Sequence, residues 1–114
     1  MHDLRISTLA KTLVRYSVNI QKGEKVLIQS NGIEPSLVKA LIKEVYAVGG
    51  LPFVQLNDHS ILRELYLGTS EEHMKAMASY EADRMNEMDA FIGFTSLRNA
   101  SEFADVPSDK MDIY

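Results

Sequence analysis

The sequence predicts an α/β fold. It should be a short parallel sheet with helices on both faces, a three-layer arrangement that is flavodoxin-like or Rossmann-like in outline. Three observations predict it. Val26, Leu27 and Ile28 form an unbroken apolar run bounded by turn residues, the pattern of a strand buried on both faces. An amphipathic helix follows at once: Leu37, Val38, Leu41, Ile42, Val45 and Tyr46 recur on one face at a period near 3.6. Strand-like runs then alternate with helical ones to the end of the chain, which implies parallel strands joined by right-handed crossovers.

The elements follow in order. Leu4 to Val18 reads as a helix, with Ile6, Leu9, Ala10, Leu13, Val14 and Ser17 on one face and Arg5, Lys11, Thr12 and Arg15 opposite. Gly23 makes the turn into the first strand, Lys25 to Ser30. Pro35 suits the first turn of the second helix, where a missing N–H costs nothing, and Gly49 and Gly50 supply its left-handed stop. Leu51 to Leu56 is the second strand, with Pro52 at its start, where a missing donor is tolerated. Ile61 to Leu67 is a short helix ending at Gly68. Thr69 and Glu72 have capping-box spacing ahead of a longer helix, whose Met74, Met77, Ala78, Met85 and Met88 lie on one side, interrupted by Glu81. Asp89 to Thr95 is the third strand. Strand one has the most apolar run, so the predicted strand order is 2-1-3. A loop from Ser96 to Pro107 leads to Ser108, an N-cap for a last helix that has barely one turn before Tyr114.

Composition excludes several functions. The chain has 114 residues, 46% hydrophobic and 25% charged, enough for one domain that buries roughly two-thirds of its unfolded surface. A net charge of −4 with mixed signs argues against nucleic acid as a partner, since phosphate binding needs a basic face. There is no cysteine, hence no disulfide and no thiol chemistry. The N-terminal MHDLRIS lacks the apolar core of a signal peptide, and no run is long enough to span a bilayer. A cytoplasmic protein, away from membranes, is expected.

The candidate chemistry is sparse. The loop Ser30-Asn31-Gly32-Ile33-Glu34-Pro35 has one glycine and neither of the phosphate-binding glycine patterns, and Glu34 would repel a phosphate at the helix N-terminus. Asp58, His59 and Ser60 are adjacent, whereas a Ser–His–Asp relay is assembled from separate parts of a fold; the plain reading is a turn and an N-cap. That loop nevertheless follows the C-terminal end of a strand, the side on which open α/β sheets hold ligands. Asn57, Asp58 and His59 are therefore candidate cleft-lining residues, together with Asn31 after the first strand and Asn99 after the third. Asn99 also reads simply as a turn residue that tolerates left-handed geometry. His2, His59 and His73 show no helical metal-ligand spacing, and Glu71, Glu72 and His73 point in successive directions. No catalytic residue and no metal ligand is assigned. The methionines read as core filler against the sheet.

An ordered series of residues carries a family likeness: Leu9-Ala10, Leu13-Val14, Tyr16-Ser17, Lys22-Gly23-Glu24-Lys25-Val26-Leu27-Ile28, Leu37-Val38, Ala40-Leu41, Gly49-Gly50, Pro52, Asp89-Ala90-Phe91-Ile92-Gly93, Asn99 and Asp105-Val106-Pro107-Ser108-Asp109-Lys110-Met111. It resembles the N-terminal domain of the thermophilic-type metalloaminopeptidases, the aminopeptidase S and T family. The resemblance implies an exopeptidase that removes N-terminal residues from peptides with a pair of divalent metal ions, zinc or cobalt. It also implies that the ligands, a set of Glu, His, Tyr and Asp, lie in a second domain; none of those motifs falls between Met1 and Tyr114.

On that footing, residues 1–114 form a single N-terminal domain that covers or shapes the substrate cleft of a missing C-terminal catalytic domain. Alone it binds no metal and is inactive, and peptide substrate reaches it through the parent enzyme. The unfinished last helix points the same way, to a piece of a longer protein. Two other readings stay open at this point: a stand-alone binding or homo-oligomerisation module, and a nucleotide-binding α/β domain.

Overall fold

A computed structural model describes residues 4–32 and 35–95. Helix α1 (Leu4–Thr12) continues into a π-helical stretch, Leu13–Ser17. Strand β1 (Lys25–Asn31), helix α2 (Pro35–Ala47), strand β2 (Leu51–Asn57), helices α3 (His59–Leu67) and α4 (Glu71–Asn86) and strand β3 (Ala90–Thr95) follow. The three strands form one parallel sheet in the order β2-β1-β3. This is the predicted α/β fold, with the predicted strand at its centre.

The core sits on one face of the sheet. Val26, Ile28 and Ile92 pack there against Ala10, Val14, Ile20, Leu41 and Val45, all nearly or fully buried. Successive side chains of a strand point to opposite faces, so Leu27, only 1% exposed, belongs to the other face. The β1–β2 crossover through α2 and the β2–β3 crossover through α3 and α4 run in opposite directions across the sheet. Right-handed connections then place them on opposite faces, and β1 itself is buried on both sides. Arg15 Nε binds Glu44 Oε2 at 2.9 Å and links the first helical stretch to α2. The carbonyl and N–H of Lys25 meet the N–H of Asp89 and its Oδ2, each at 2.8 Å, fixing the start of β3 against β1.

Several local expectations are corrected. The first helix widens into π geometry from Leu13, and the Val18 N–H donates to the Leu13 carbonyl at 3.0 Å. Asn31 and Asn57 are the last residues of their strands, not loop residues. His59 and Ser60 are already helical, because Asp58 caps α3. The cap of α4 is Ser70, whose hydroxyl accepts from the His73 N–H at 3.1 Å; Thr69 instead pairs with the His73 ring at 2.9 Å. Tyr46 turns outward, 65% exposed, and α4 buries no residue fully, Met74 being 51% exposed; its methionines do not fill the core. The Ser96–Pro107 loop, Asn99 and the Ser108 cap lie outside the described residues. No helix among the described residues is long and apolar enough to cross a membrane.

Two details of β2 follow from its backbone. The Leu51 N–H donates to the Glu24 carbonyl at 2.7 Å, and the Asn57 carbonyl accepts from Gly32 at 2.8 Å. Odd-numbered residues of β2 therefore turn their backbone groups toward β1, and even-numbered ones turn theirs outward. Pro52 is even-numbered, so its missing donor falls on the open edge and costs the ladder nothing.

The α2–β2 junction is a tight turn. Gly49 has φ +83°, a left-handed conformation that glycine adopts without strain. At Gly50 a Cβ would lie 2.7 Å from Ile20 Cγ2 and 2.9 Å from Val45 Cγ1. Gly50→Ala is expected to destabilise the fold by about 1–3 kcal/mol through overpacking, whereas Gly68→Ala, which meets nothing within 4 Å, should leave urea midpoints close to wild type.

Candidate functional site

The C-terminal rim of the sheet carries four amides. Gln29 pairs in register with Gln55, and Asn31 with Asn57, so all four project from one face. Asn57 Nδ2 donates to Asn31 Oδ1 across the strands at 2.8 Å, Gln29 Nε2 donates to the same oxygen at 3.3 Å, and Gln55 Nε2 donates to Asn57 Oδ1 at 3.1 Å. Asparagine is depleted in strands, and Asn31 is only 8% exposed. The cross-strand bond makes its burial tolerable, since an unpartnered buried amide costs about 1–3 kcal/mol. Gln55 Oε1 is buried without a partner among the described residues.

Beside this ladder opens a cleft of about 500 Å³, lined by Gly32, Pro35, Val38, Lys39, Leu56, Asn57, Asp58, Ile61 and Leu62. It lies between the start of α2, the end of β2 and the start of α3. Its walls are aliphatic, and Leu56 and Ile61 are each 67% exposed. Its charged groups are Lys39 and Asp58. Asp58 caps α3 through Oδ1, which accepts from the Ser60 hydroxyl, the Ser60 N–H at 2.8 Å and the Ile61 N–H at 3.3 Å. The hydroxyl bond from Ser60, then the two backbone bonds, hold its carboxyl below the ordinary carboxylate range, and the neighbouring His59 adds a smaller pull.

The candidate residues of the sequence separate here. Asn57 and Asp58 line the cleft, and Asn31 stands one hydrogen bond behind Asn57. His59 is the exposed first residue of α3, and Asn99 is outside the described residues. Gln29, Gln55, Lys39, Leu56 and Ile61 join the site only in the folded chain. A signal for the ladder is present in the sequence, because both apolar strands end in Gln-x-Asn, which puts each amide pair on one face. The Asp58-His59-Ser60 run forms a cap and not a relay. The described residues do not fit a metal pair: no group of three or more His, Cys, Asp or Glu converges among them, and Asp58 Oδ1 is committed to its helix.

Comparisons with known proteins fit this architecture. A family model described as thermophilic metalloprotease (M29) matches residues 2–114. Aminopeptidase PepS of Streptococcus thermophilus is 31% identical over 77 residues, covering 67% of this chain and 19% of that protein. The solved structure of wild-type AmpT from Thermus thermophilus superposes with a TM-score of 0.65 at 21% identity, over 95% of this chain and 28% of that one, a likeness of fold. The match thus spans 19% of the length of the one relative and 28% of the other, under a third of either.

Two outcomes test the rim. Asn57→Leu removes the donor to Asn31 and strands Gln55 Nε2, so chemical denaturation should show a loss of about 1–3 kcal/mol. The folded-state pKa of Asp58 is depressed, so its stabilisation is present above the unfolded carboxylate value and is lost as pH falls through the folded one. The difference in melting temperature between wild type and Asp58→Ala should therefore be constant from neutral pH down to about 5 and shrink toward pH 2. A difference that is unchanged at pH 2 would refute the assignment.

Proposed function

The chain belongs to the thermophilic metalloprotease (M29) family, and from that premise we propose that it is the N-terminal, non-catalytic α/β domain of a metal-dependent aminopeptidase. In this reading the cleft between α2 and α3 is part of the wall along which a peptide is held. Hydrolysis of the N-terminal residue, and the pair of zinc or cobalt ions it uses, belong to the remaining length that such relatives have. The observation that carries the reading is an aliphatic cleft at the C-terminal rim of the sheet, in a chain that the family matches throughout. The name of PepS, an aminopeptidase, supports the reaction class. The lack of cysteine suits a cytoplasmic setting.

The domain's contribution is binding energy away from the reacting bond. Contacts to remote parts of a substrate can be used to orient it. Asp58 is engaged by its helix, and the amide ladder is neutral, so the wall offers shape and hydrogen bonds more than reactive groups.

A second reading, assembly with further copies, is favoured by one observation. Leu51, Phe53, Val54 and Leu56 are each at least 40% exposed on the edge strand β2, and open edges invite pairing. Light scattering at high concentration decides it, a clean monomer counting against it.

The pure 114-residue chain, supplied with zinc or cobalt, should release nothing from leucyl-p-nitroanilide. In a protein joining this domain to the remaining length of the PepS kind, Leu56→Asp should raise KM about threefold to tenfold with metal content unchanged, since a charge replaces apolar contact area. Metal-dependent turnover by the 114-residue chain alone would overturn the division of labour, and an unchanged KM would remove the cleft from it.

A further inference from the structure

Met74 and Met77 of α4 lie outside the core. Met74 is 51% exposed and Met77 is half-buried. The chain has no cysteine, so its soft ligands are thioethers and imidazoles. His73 stands one turn before Met77, and Met74 three residues before it. At 3.6 residues per turn, His73 and Met74 lie about 40° and about 60° to either side of Met77. One imidazole and two thioethers therefore share an arc of about 100° over the first turns of the helix. The histidine is also oriented. Its backbone N–H donates to Ser70 Oγ at 3.1 Å, and its ring Nδ1 lies 2.9 Å from Thr69 Oγ1. The Thr69 hydroxyl donates to the Ser70 carbonyl at 3.3 Å. A threonine hydroxyl has one hydrogen, so its oxygen accepts from Nδ1–H, and that tautomer keeps a lone pair on Nε2. Metal-bound histidines are held in the same way, through the ring nitrogen that does not meet the metal.

We propose that His73, Met74 and Met77 form a site for a soft monovalent cation, copper(I) or its analogue silver(I), bound through His73 Nε2 and the two thioether sulfurs. Thioether ligands select such an ion over zinc or cobalt. Methionine has three rotatable bonds and a polarizable sulfur, so both sulfurs can turn to one ion while the helix stays as it is. A cation near a helix N-terminus meets the positive end of the helix dipole, and Glu71 and Glu72 in the first turn oppose that field. Lys75 is about 160° around the helix from both His73 and Met77 and pairs with Glu71 at 3.2 Å. Met85 and Met88 repeat the three-residue spacing further along, with Arg84 before them where His73 stands before Met74. They are an internal control that has the sulfurs without the imidazole. The assignment rests on neither the cleft nor the proposed reaction.

The test is a titration of the 114-residue chain with silver nitrate in chloride-free buffer, followed through the methyl signals of methionine and the ring signals of histidine. The Met74 and Met77 methyls and the His73 ring are expected to shift together and to saturate ahead of Met85 and Met88. Zinc at the same concentration should leave the methyls in place. Met77→Leu, which keeps the apolar bulk, and His73→Gln should each weaken the site about tenfold or more. Thr69→Val removes the partner of Nδ1 and should weaken it about tenfold through orientation of the ring alone. Met85→Leu should leave the affinity at wild type. Thermal melts establish that each variant is folded, and His73→Gln alters an exposed side chain, so it serves where Met77→Leu does not fold. Absence of a saturable shift at Met74 and Met77 overturns the proposal. Simultaneous saturation of Met85 and Met88, equal response to zinc, or an affinity unchanged in His73→Gln overturns it too.

Discussion

Both parallel ladders run through β1. Its backbone is paired on each side, to β2 and to β3, and its side chains are covered on each face, with Val26 and Ile28 on one and Leu27 on the other. A strand in that position cannot shift by one residue without exchanging its two apolar faces and breaking both sets of hydrogen bonds. The flanking strands lack that constraint. β2 leaves Leu51, Phe53, Val54 and Leu56 partly open and depends on β1 for its register. The turn at Gly49 and Gly50 and the bond from Leu51 to Glu24 convert the position of β1 into the position of β2, and Asp89 does the same for β3.

The rim of the sheet inherits this order. Because β1 and β2 are in register to their last residues, Asn31 and Asn57 arrive side by side and bond. That bond sets the floor next to which α2 and α3 diverge to leave the cleft. The same strand that organises the core therefore places the groups a ligand would meet. The cleft belongs to the pattern by which open α/β sheets hold ligands beyond the carboxyl ends of their strands.

The parts of this structure legible in the sequence are those where one physical effect outweighs all others. The Val26-Leu27-Ile28 run announces a central strand because only burial on both faces accommodates it. The glycine pair announces its turn because no side chain fits there. The parts that differ from the sequence pattern are contests between effects of similar size. Thr69 and Ser70 are both good caps, and the hydrogen bond from the His73 N–H decides for Ser70. Asn31 and Asn57 read as loop residues by propensity, yet each finds the other as a partner, something a propensity cannot register. Tyr46 follows the helical period of α2 but falls at the margin of its buried stripe. The methionines of α4 have the right spacing for a core, yet that helix buries no residue fully.

The pairing at the rim also bears on the chemical lifetime of the chain. Asn31 precedes Gly32, and asparagine followed by glycine is the dipeptide most prone to lose ammonia, because the unhindered glycine nitrogen attacks the side-chain carbonyl carbon to close a succinimide. Here that nitrogen's hydrogen is donated to the Asn57 carbonyl at 2.8 Å, and the Asn31 amide oxygen is held by two donors. Ring closure needs both to let go. The fold thus opposes loss of the Asn31 amide, and ageing at this site would proceed from molecules whose rim has opened. Deamidation at Asn31, followed by mass spectrometry in native and denaturing buffer, would report that opening as a clock.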